Sequence, residues 1–378
     1  MHVAIDYTAA INQSDGIGRF VRNQITALLD LDQENDYTLL YAAPNPGREL
    51  PTVCGVHVRT RALPLRERAL NILWHRLRFP ISITLGAGPI DLFHAPNFVL
   101  PPAGNAVSVV TVHDLAFLTH PECADARLRA YLTRAVPDAV RRADLILTDS
   151  RQTKADVASH FGIADERIQV VHGGVGSAFA PATEEEITSA RQTYGLNRPY
   201  VLAVGVIEPR KNLPRLIDAF SQFQDAAGDS HDLVIVGGRG WLCDATFERA
   251  AASPVHDRIR FTGYVPDAPL TALYTGADAF AYVSLYEGFG LPVLEAMACG
   301  APVICSDNSS LPEFATGAAV LVPPDNTDAI AVAIQSVCSD SALSATLRAE
   351  GPRRAAQYTW RVSAEQLLLA YQTAMARR

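Results

Sequence analysis

The chain has 378 residues, 48% hydrophobic and only 19% charged, more apolar material than one core accommodates and enough for two. Its formal charge of −8 excludes the basic field of a nucleic-acid-binding surface; residues 1–180 carry 17 basic against 18 acidic side chains, and residues 181–378 carry 15 against 22, so the acidity belongs to the second half. Six scattered cysteines without C-x-x-C spacing exclude a zinc ribbon or disulfide framework and fit a reduced, cytosolic setting, and no apolar run reaches the roughly 20 residues of a membrane span, so membrane contact is expected only at the periphery.

Short apolar runs alternate with amphipathic stretches, the pattern of parallel sheets joined by crossover helices. The first half predicts a strand over 2–6, a helix over 18–31 and strands over 37–42, 107–112 and 144–148. Between the first strand and helix, Asp15-Gly16-Ile17-Gly18-Arg19 brings two glycines and helix-start amides to the strand exit. Val21 replaces the third glycine of the dinucleotide fingerprint, and a tight turn with positive φ accounts for both glycines equally well. Asp30-Leu31-Asp32, the only D-x-D, reads as solvated surface. Residues 59–80 carry six arginines against one acid, interleaved with Leu, Trp74 and Phe79. This stretch reads either as an amphipathic segment for anionic headgroups or as a core-facing helix with a solvated basic rim. His113, in Val109-Val-Thr-Val-His113-Asp114-Leu115, sits just past a buried strand, where open α/β sheets bind ligands. A hydrogen-bonded structural histidine is the alternative there, and is the reading for His94, His120 and His172.

A linker of small residues at 173–181 precedes an acidic helix start at Thr183. The second half predicts strands over 200–206, 232–236, 258–262, 279–284 and 302–305. The first leads through Glu208-Pro209-Arg210-Lys211-Asn212 into a helix over 213–223. Cations are disfavoured at a helix start, so Arg210 and Lys211 either stand solvated in a loop or hold an anion between them. Gly237 and Gly238 permit close backbone approach at the next strand end. Gly263-Tyr264-Val265-Pro266 follows another strand, before a helix capped by Asp267; a plain β-turn is the alternative. Then comes Glu287-Gly288-Phe289-Gly290-Leu291-Pro292-Val-Leu-Glu295, a carboxylate pair across a glycine-rich strand-to-helix junction, with Pro292 suited to the first turn and Gly300 to the C-terminal cap. The amides of 288–291 and the positive helix end attract phosphate, Glu295 is placed for paired ribose hydroxyls, and Glu287 is left for a sugar. Alternatively, Glu295 complements the helix dipole and Glu287 is solvated. A final helix starts near Trp360.

The run Glu287-Gly-Phe-Gly-Leu-Pro followed by Glu295 resembles the signature of the retaining, nucleotide-sugar-dependent glycosyltransferases of family 4. The Arg210-Lys211 and His113-Asp114-Leu115 runs resemble the same family, nearly the whole chain is covered, and the match is most specific between residues 200 and 315. The resemblance implies an α/β GT-B fold of two Rossmann-like domains with parallel sheets and an interdomain cleft. Residues 1–178 would form the acceptor-binding domain and 179–359 the donor-binding domain, with 360–378 returning to the first. It implies retaining hexosyl transfer from a nucleoside diphosphate sugar to a saccharide or lipid-linked saccharide in bacterial polysaccharide synthesis; the stretches at 16–19 and 113–115 point to mannose from GDP-mannose.

Carried over residue by residue, Arg210 and Lys211 lie on the donor diphosphate, and His113 and Glu287 on the transferred sugar. Glu295 takes the ribose, while Gly288, Phe289, Gly290 and Leu291 line the phosphates. Gly16 and Gly18 approach the donor and shape the acceptor pocket; Gly237 belongs to the donor pocket, where it permits close backbone approach, and Tyr264 and the backbone at Val265 lie by the base. No cofactor and no metal are expected: Arg210, Lys211 and the amides near Gly288 meet the leaving group's charge, and the departing phosphate helps deprotonate the acceptor. The expected location is cytoplasmic, peripheral on the inner face of the cell membrane through residues 59–80, with no nucleic-acid partner. Two rivals remain: a GT-B nucleotide-sugar epimerase or hydrolase, which needs no acceptor, and a non-catalytic sugar-nucleotide binding protein.

Overall fold

The computed structural model of the chain describes residues 1–13, 16–43, 55, 57–76, 79, 82–84, 87–227 and 230–377. It divides into two compact units, one comprising Met1–Leu118, Arg127–Gly174 and Trp360–Arg378, the other Thr119–Ala126 and Val175–Thr359. The break after Gly174 precedes the expected boundary at 178. Thr119–Ala126 departs from the sequence-based division altogether, because this short excursion builds into the second unit.

The first unit is a parallel sheet of seven strands: β1 (His2–Asp6), β2 (Asp36–Tyr41), β3 (Val58–Ala62), β4 (Leu92–Ala95), β5 (Val107–Val112), β6 (Leu145–Thr148) and β7 (Ile168–Val170). Their order is β3-β2-β1-β4-β5-β6-β7. All six residues of β5 are buried, as expected of a strand covered on both faces. Helix Gly16–Leu31 lays Val21, Ile25 and Leu28 into the same core as Leu367, Ala370 and Tyr371 of helix Trp360–Ala376. Polar ties fix this returning helix: Gln24 donates to Ser363 Oγ at 2.9 Å, and the Tyr371 hydroxyl lies 2.8 Å from His94 Nδ1.

Several expectations are corrected here. Asp32 is buried rather than solvated; Tyr37 and Asn35 donate to its carboxylate, and these bonds outweigh burial and lower its pKa. Neither Gly16 nor Gly18 has positive φ; Gly18 is required by close packing, since a Cβ there would lie 2.1 Å from the Gln13 carbonyl oxygen. The arginine-rich stretch is not one helix: Arg59 and Arg61 are exposed on edge strand β3, followed by helix Glu67–Asn71 and a π-turn at Ile72–Arg76. Trp74 and Leu70 face the core, whereas Leu65, Ile72 and Phe79 are exposed. Arg78 and Pro80 of that stretch, Asp15, and Cys54 lie outside the described residues.

The second unit is a parallel sheet of six strands: β8 (Tyr200–Val204), β9 (Asp232–Val236), β10 (Ile259–Gly263), β11 (Ala279–Tyr282), β12 (Val303–Ser306) and β13 (Val320–Val322), ordered β10-β9-β8-β11-β12-β13. Side chains alternate between two cores: Tyr200, Leu202, Phe280 and Tyr282 enter one, Val201, Ala203, Ala279 and Ala281 the other. Each sheet reverses its winding once, between β1 and β4 and between β8 and β11. Loops leaving the C-terminal ends of such neighbours form the crevice where open α/β sheets bind ligands. Among the described residues no single helix is long and apolar enough to cross a membrane.

Candidate donor site

β8 and β11 run side by side, with Ala279 beside Val201, so their outgoing loops meet. Leu285 N donates to Arg210 O at 2.9 Å, and Asn212 Nδ2 donates to Val283 O at 3.0 Å and Pro324 O at 2.7 Å. Pro209–Lys211 forms a 3-10 turn that Asn212, at φ +56, ends before helix Leu213–Ala227.

Within this junction Lys211 Nζ donates to Glu287 Oε1 and to the Tyr282 hydroxyl, both at 2.6 Å. Arg210 Nη1 donates to Glu287 Oε2 at 2.6 Å and to Tyr286 O at 3.0 Å, and its Nη2 donates to Glu208 Oε1 at 2.7 Å. Burial by itself would raise the Glu287 carboxyl, but Arg210 and Lys211 overturn that and hold it at about 2. Burial lowers the Lys211 ammonium, with Glu287 opposing. Sequence reasoning placed an anion between the two cations and gave Glu287 to the sugar. In the structure that anion is Glu287 itself.

The loop leaving β12 pins Glu287. Ser309 Oγ accepts from Glu287 N at 3.1 Å, Ser310 Oγ lies 2.9 and 2.8 Å from the carbonyl oxygens of Glu287 and Phe289, and Asn308 Nδ2 donates to Leu285 O at 2.7 Å. Helix Leu291–Ala298 then starts from Gly290 at φ +110, with Pro292 in its first turn. The Phe289 ring is core, 5.1 Å from that of Phe314; Gly288 precedes it and Leu291 is half-buried. Glu295 is 4% exposed and accepts from the Tyr274 hydroxyl at 3.2 Å.

Gly237 ends β9 against β8 so closely that a Cβ would lie 1.9 Å from Gly205 O. Tyr264 is 75% exposed beside buried Val265, and the helix after them has Pro266 as its cap and Asp267 as its first residue, not Asp267 as cap. The excursion Thr119–Ala126 lies on this unit: Trp241 Nε1 donates to Cys123 O at 2.7 Å, and the His120 ring packs 5.3 Å from that of Tyr286.

His113, Gly16 and Gly18 belong to the first unit. Both ring nitrogens of His113 face acceptors, Nδ1 the Asp149 carboxylate at 2.7 Å and Nε2 the Pro96 carbonyl at 2.9 Å. Although burial disfavours the charged ring, Asp149 raises the pKa of His113, so a doubly protonated imidazolium fits both bonds. Edge-on contacts from Phe20 and Phe98 enclose it.

Thus Arg210, Lys211, Glu287 and residues 288–291 meet where β8 and β11 end, Gly237 ends the neighbouring β9 against Gly205, Tyr264 and Val265 follow β10 at the same edge of the sheet, and Glu295 lies in the helix that starts at Leu291. Sequence reasoning missed Tyr282, Ser309 and Ser310 and left Glu208 without a role; a Ser/Asn cluster after an apolar strand was the available signal for the serines. Among the described residues no group of three or more His, Cys, Asp or Glu is placed to hold a metal ion, and the described cysteines are free.

Residues 14–178 match the family described as Glycosyltransferase Family 4, and residues 185–354 match Glycosyl transferases group 1. The chain is 34% identical over 365 residues to the O-antigen chain mannosyltransferase B of Escherichia coli, covering 94% of this chain and 95% of that protein. It is 31% identical over 276 residues to the serotype-specific mannosyltransferase WbdA of Escherichia coli, covering 71% of this chain but 34% of the larger protein. Among solved structures, sucrose-phosphate synthase from Thermosynechococcus elongatus superposes with a TM-score of 0.78 at 22% identity over all of both chains. Anabaena HepE, solved with UDP and glucose, superposes with a TM-score of 0.74 at 18% identity over 98% and 99% of the two chains. The chain is a glycosyltransferase of this family, with the two-domain GT-B fold.

Proposed function

We propose that the protein moves mannose from GDP-mannose, with retention and without a metal, onto a saccharide or lipid-linked saccharide during synthesis of a bacterial surface polysaccharide. The observation that carries this reading is the closure of two adjacent half-buried cations, Arg210 and Lys211, on one buried carboxylate at the winding reversal of the second sheet. A donor diphosphate would take the place of Glu287 on Nη1 and Nζ, and charge growing on the leaving group would meet a planar guanidinium, a compact ammonium and the amides near Gly288. Released from the cations, Glu287 is free to accept from sugar hydroxyls. Glu295 takes the ribose, and Tyr264 offers an exposed ring to the base.

Mannose is favoured because the relative that aligns over 94% of this chain is named a mannosyltransferase. Peripheral membrane contact is supported by the exposed arginines of β3 and the neighbouring Leu65, Ile72 and Phe79. The test is turnover of GDP-mannose, UDP-glucose and ADP-glucose by the purified protein with and without an oligomannose acceptor, the product's anomeric configuration being read by NMR. Mannosyl transfer with retention from GDP-mannose is expected. Equal nucleotide release without acceptor would establish a hydrolase instead.

A further inference from the structure

Arg210 lies between two carboxylates of different standing. Glu287 arrives from another loop and is shared with Lys211, so it occupies the donors, Nη1 and Nζ, that a diphosphate needs. Glu208 touches Nη2 alone, and Arg210 is its only ion-pair partner among the described residues. It is 2% exposed, and its second oxygen, Oε2, is buried without a hydrogen-bond partner. A buried carboxylate left half satisfied costs stability, which calls for a compensating task.

We propose that Glu208 is a positioning residue: by holding Nη2 it fixes the plane of the Arg210 guanidinium, so that Nη1 still faces the donor diphosphate after Glu287 is displaced. The inference rests on the diphosphate reading of Arg210 and Lys211. Glu208 suits the task because it belongs to the same turn as the group it holds. Its carbonyl accepts from Lys211 N at 3.1 Å, and Pro209 fixes the backbone between carboxylate and guanidinium. The guanidinium is a rigid fork, so anchoring one nitrogen orients the others. Glu287 cannot do this, since its loop is separate and its oxygens are the ones exchanged.

The sign of the effect separates positioning from mere proximity. A bystander carboxylate repels an incoming anion, so removing it would tighten binding. Titration calorimetry with inorganic pyrophosphate and with GDP should instead show Glu208→Ala binding about tenfold more weakly, the scale of one charge-assisted hydrogen bond. Glu208→Asp, which keeps the charge but withdraws it, should lose as much, whereas Glu208→Gln, whose amide oxygen still accepts from Nη2, should stay within about threefold of the parent. In an Arg210→Ala background Glu208→Ala should do nothing further.

Tighter binding by Glu208→Ala, or an undiminished loss in the Arg210→Ala background, would overturn the proposal. Should Glu208→Ala not fold, the Asp and Gln variants decide: Asp weak and Gln near parental supports it, the reverse overturns it. If Arg210→Ala weakens pyrophosphate while the Glu208 variants do not, positioning alone falls. If the parent and Arg210→Ala bind alike, the diphosphate reading fails and takes this inference with it.

Discussion

Glu287→Gln removes one charge and almost no volume from the centre of the donor site, leaving Arg210 and Lys211 facing each other across a neutral amide. The Glu287 carboxyl is held at about 2 against an ordinary 4.5, because the attraction of both cations exceeds the cost of burying it. At 1.36 kcal/mol per pKa unit this difference is worth about 3 kcal/mol of folding stability. The folded value is the depressed one, so the contribution is complete above pH 4.5 and is lost as pH falls towards 2. The variant should therefore be about 3 kcal/mol less stable than the parent near neutral pH, the scale of breaking a buried pair by removing one partner. The gap should narrow below about pH 4.5, where the parent loses the same contribution. Trp241 is the only tryptophan of the second unit, so urea unfolding followed by its fluorescence, with Trp74 and Trp360 replaced by Phe in both proteins, isolates the relevant transition. A gap under about 1 kcal/mol at neutral pH, or one that stays constant down to about pH 3, would refute the placement of this carboxylate between the cations.

Arg210→Lys keeps the charge but cannot grip Glu208 and a phosphate together, so turnover should fall about a hundredfold, while the bonds lost to buried Glu208 or Glu287 lower the melting point by about 2 to 4 °C per kcal/mol; steady-state kinetics beside a thermal melt would show both. Glu295→Gln weakens acceptance from two ribose hydroxyls, and calorimetry should record a loss of about 1 to 2 kcal/mol in nucleotide affinity. Activity should survive exhaustive EDTA treatment; loss restored by Mg²⁺ or Mn²⁺ would assign a metal to the reaction. Vesicle co-sedimentation should show binding to anionic but not neutral liposomes, weakened by salt and by changing Arg59, Arg61, Arg66 and Arg68 to Gln, at about 1 kcal/mol per well-placed cation.

How much of the fold is legible in the sequence depends on how each strand is covered. β5 reads Val-Ser-Val-Val-Thr-Val, four valines interrupted only by the small hydroxyl residues Ser108 and Thr111, because both faces are packed. β3 reads Val-Arg-Thr-Arg-Ala because it has one neighbouring strand and nearly all of its residues are open to solvent; its hydrogen bonds come from β2, not from any apolar signal of its own. β4, β7 and β13 are too short for a period to show, and β4 carries His94, whose two nitrogens are satisfied by Tyr371 and Thr111 from distant parts of the chain. The excursion Thr119–Ala126 shows no periodicity and owes its place to contacts such as that of Trp241 with Cys123, made 118 residues apart.

The site divides along the same line. Arg210, Lys211, Glu287 and Gly290 each announce a strand-to-helix junction through local rules of glycine, proline and helix polarity, so their position at the carboxyl edge of a sheet is readable one motif at a time. That Lys211 meets Glu287 across 76 residues is not, because it depends on β8 and β11 being neighbours despite the two strands that intervene in sequence. The difference alters the chemistry. Read alone, two cations at a helix start point to a missing anion; with Glu287 and Glu208 in place their charge is already balanced, and a ligand must compete with a carboxylate instead of filling a void. On the proposed reading of this site, donor binding carries an exchange cost, and Glu287 would reach a sugar only when phosphate replaces it on Arg210 and Lys211.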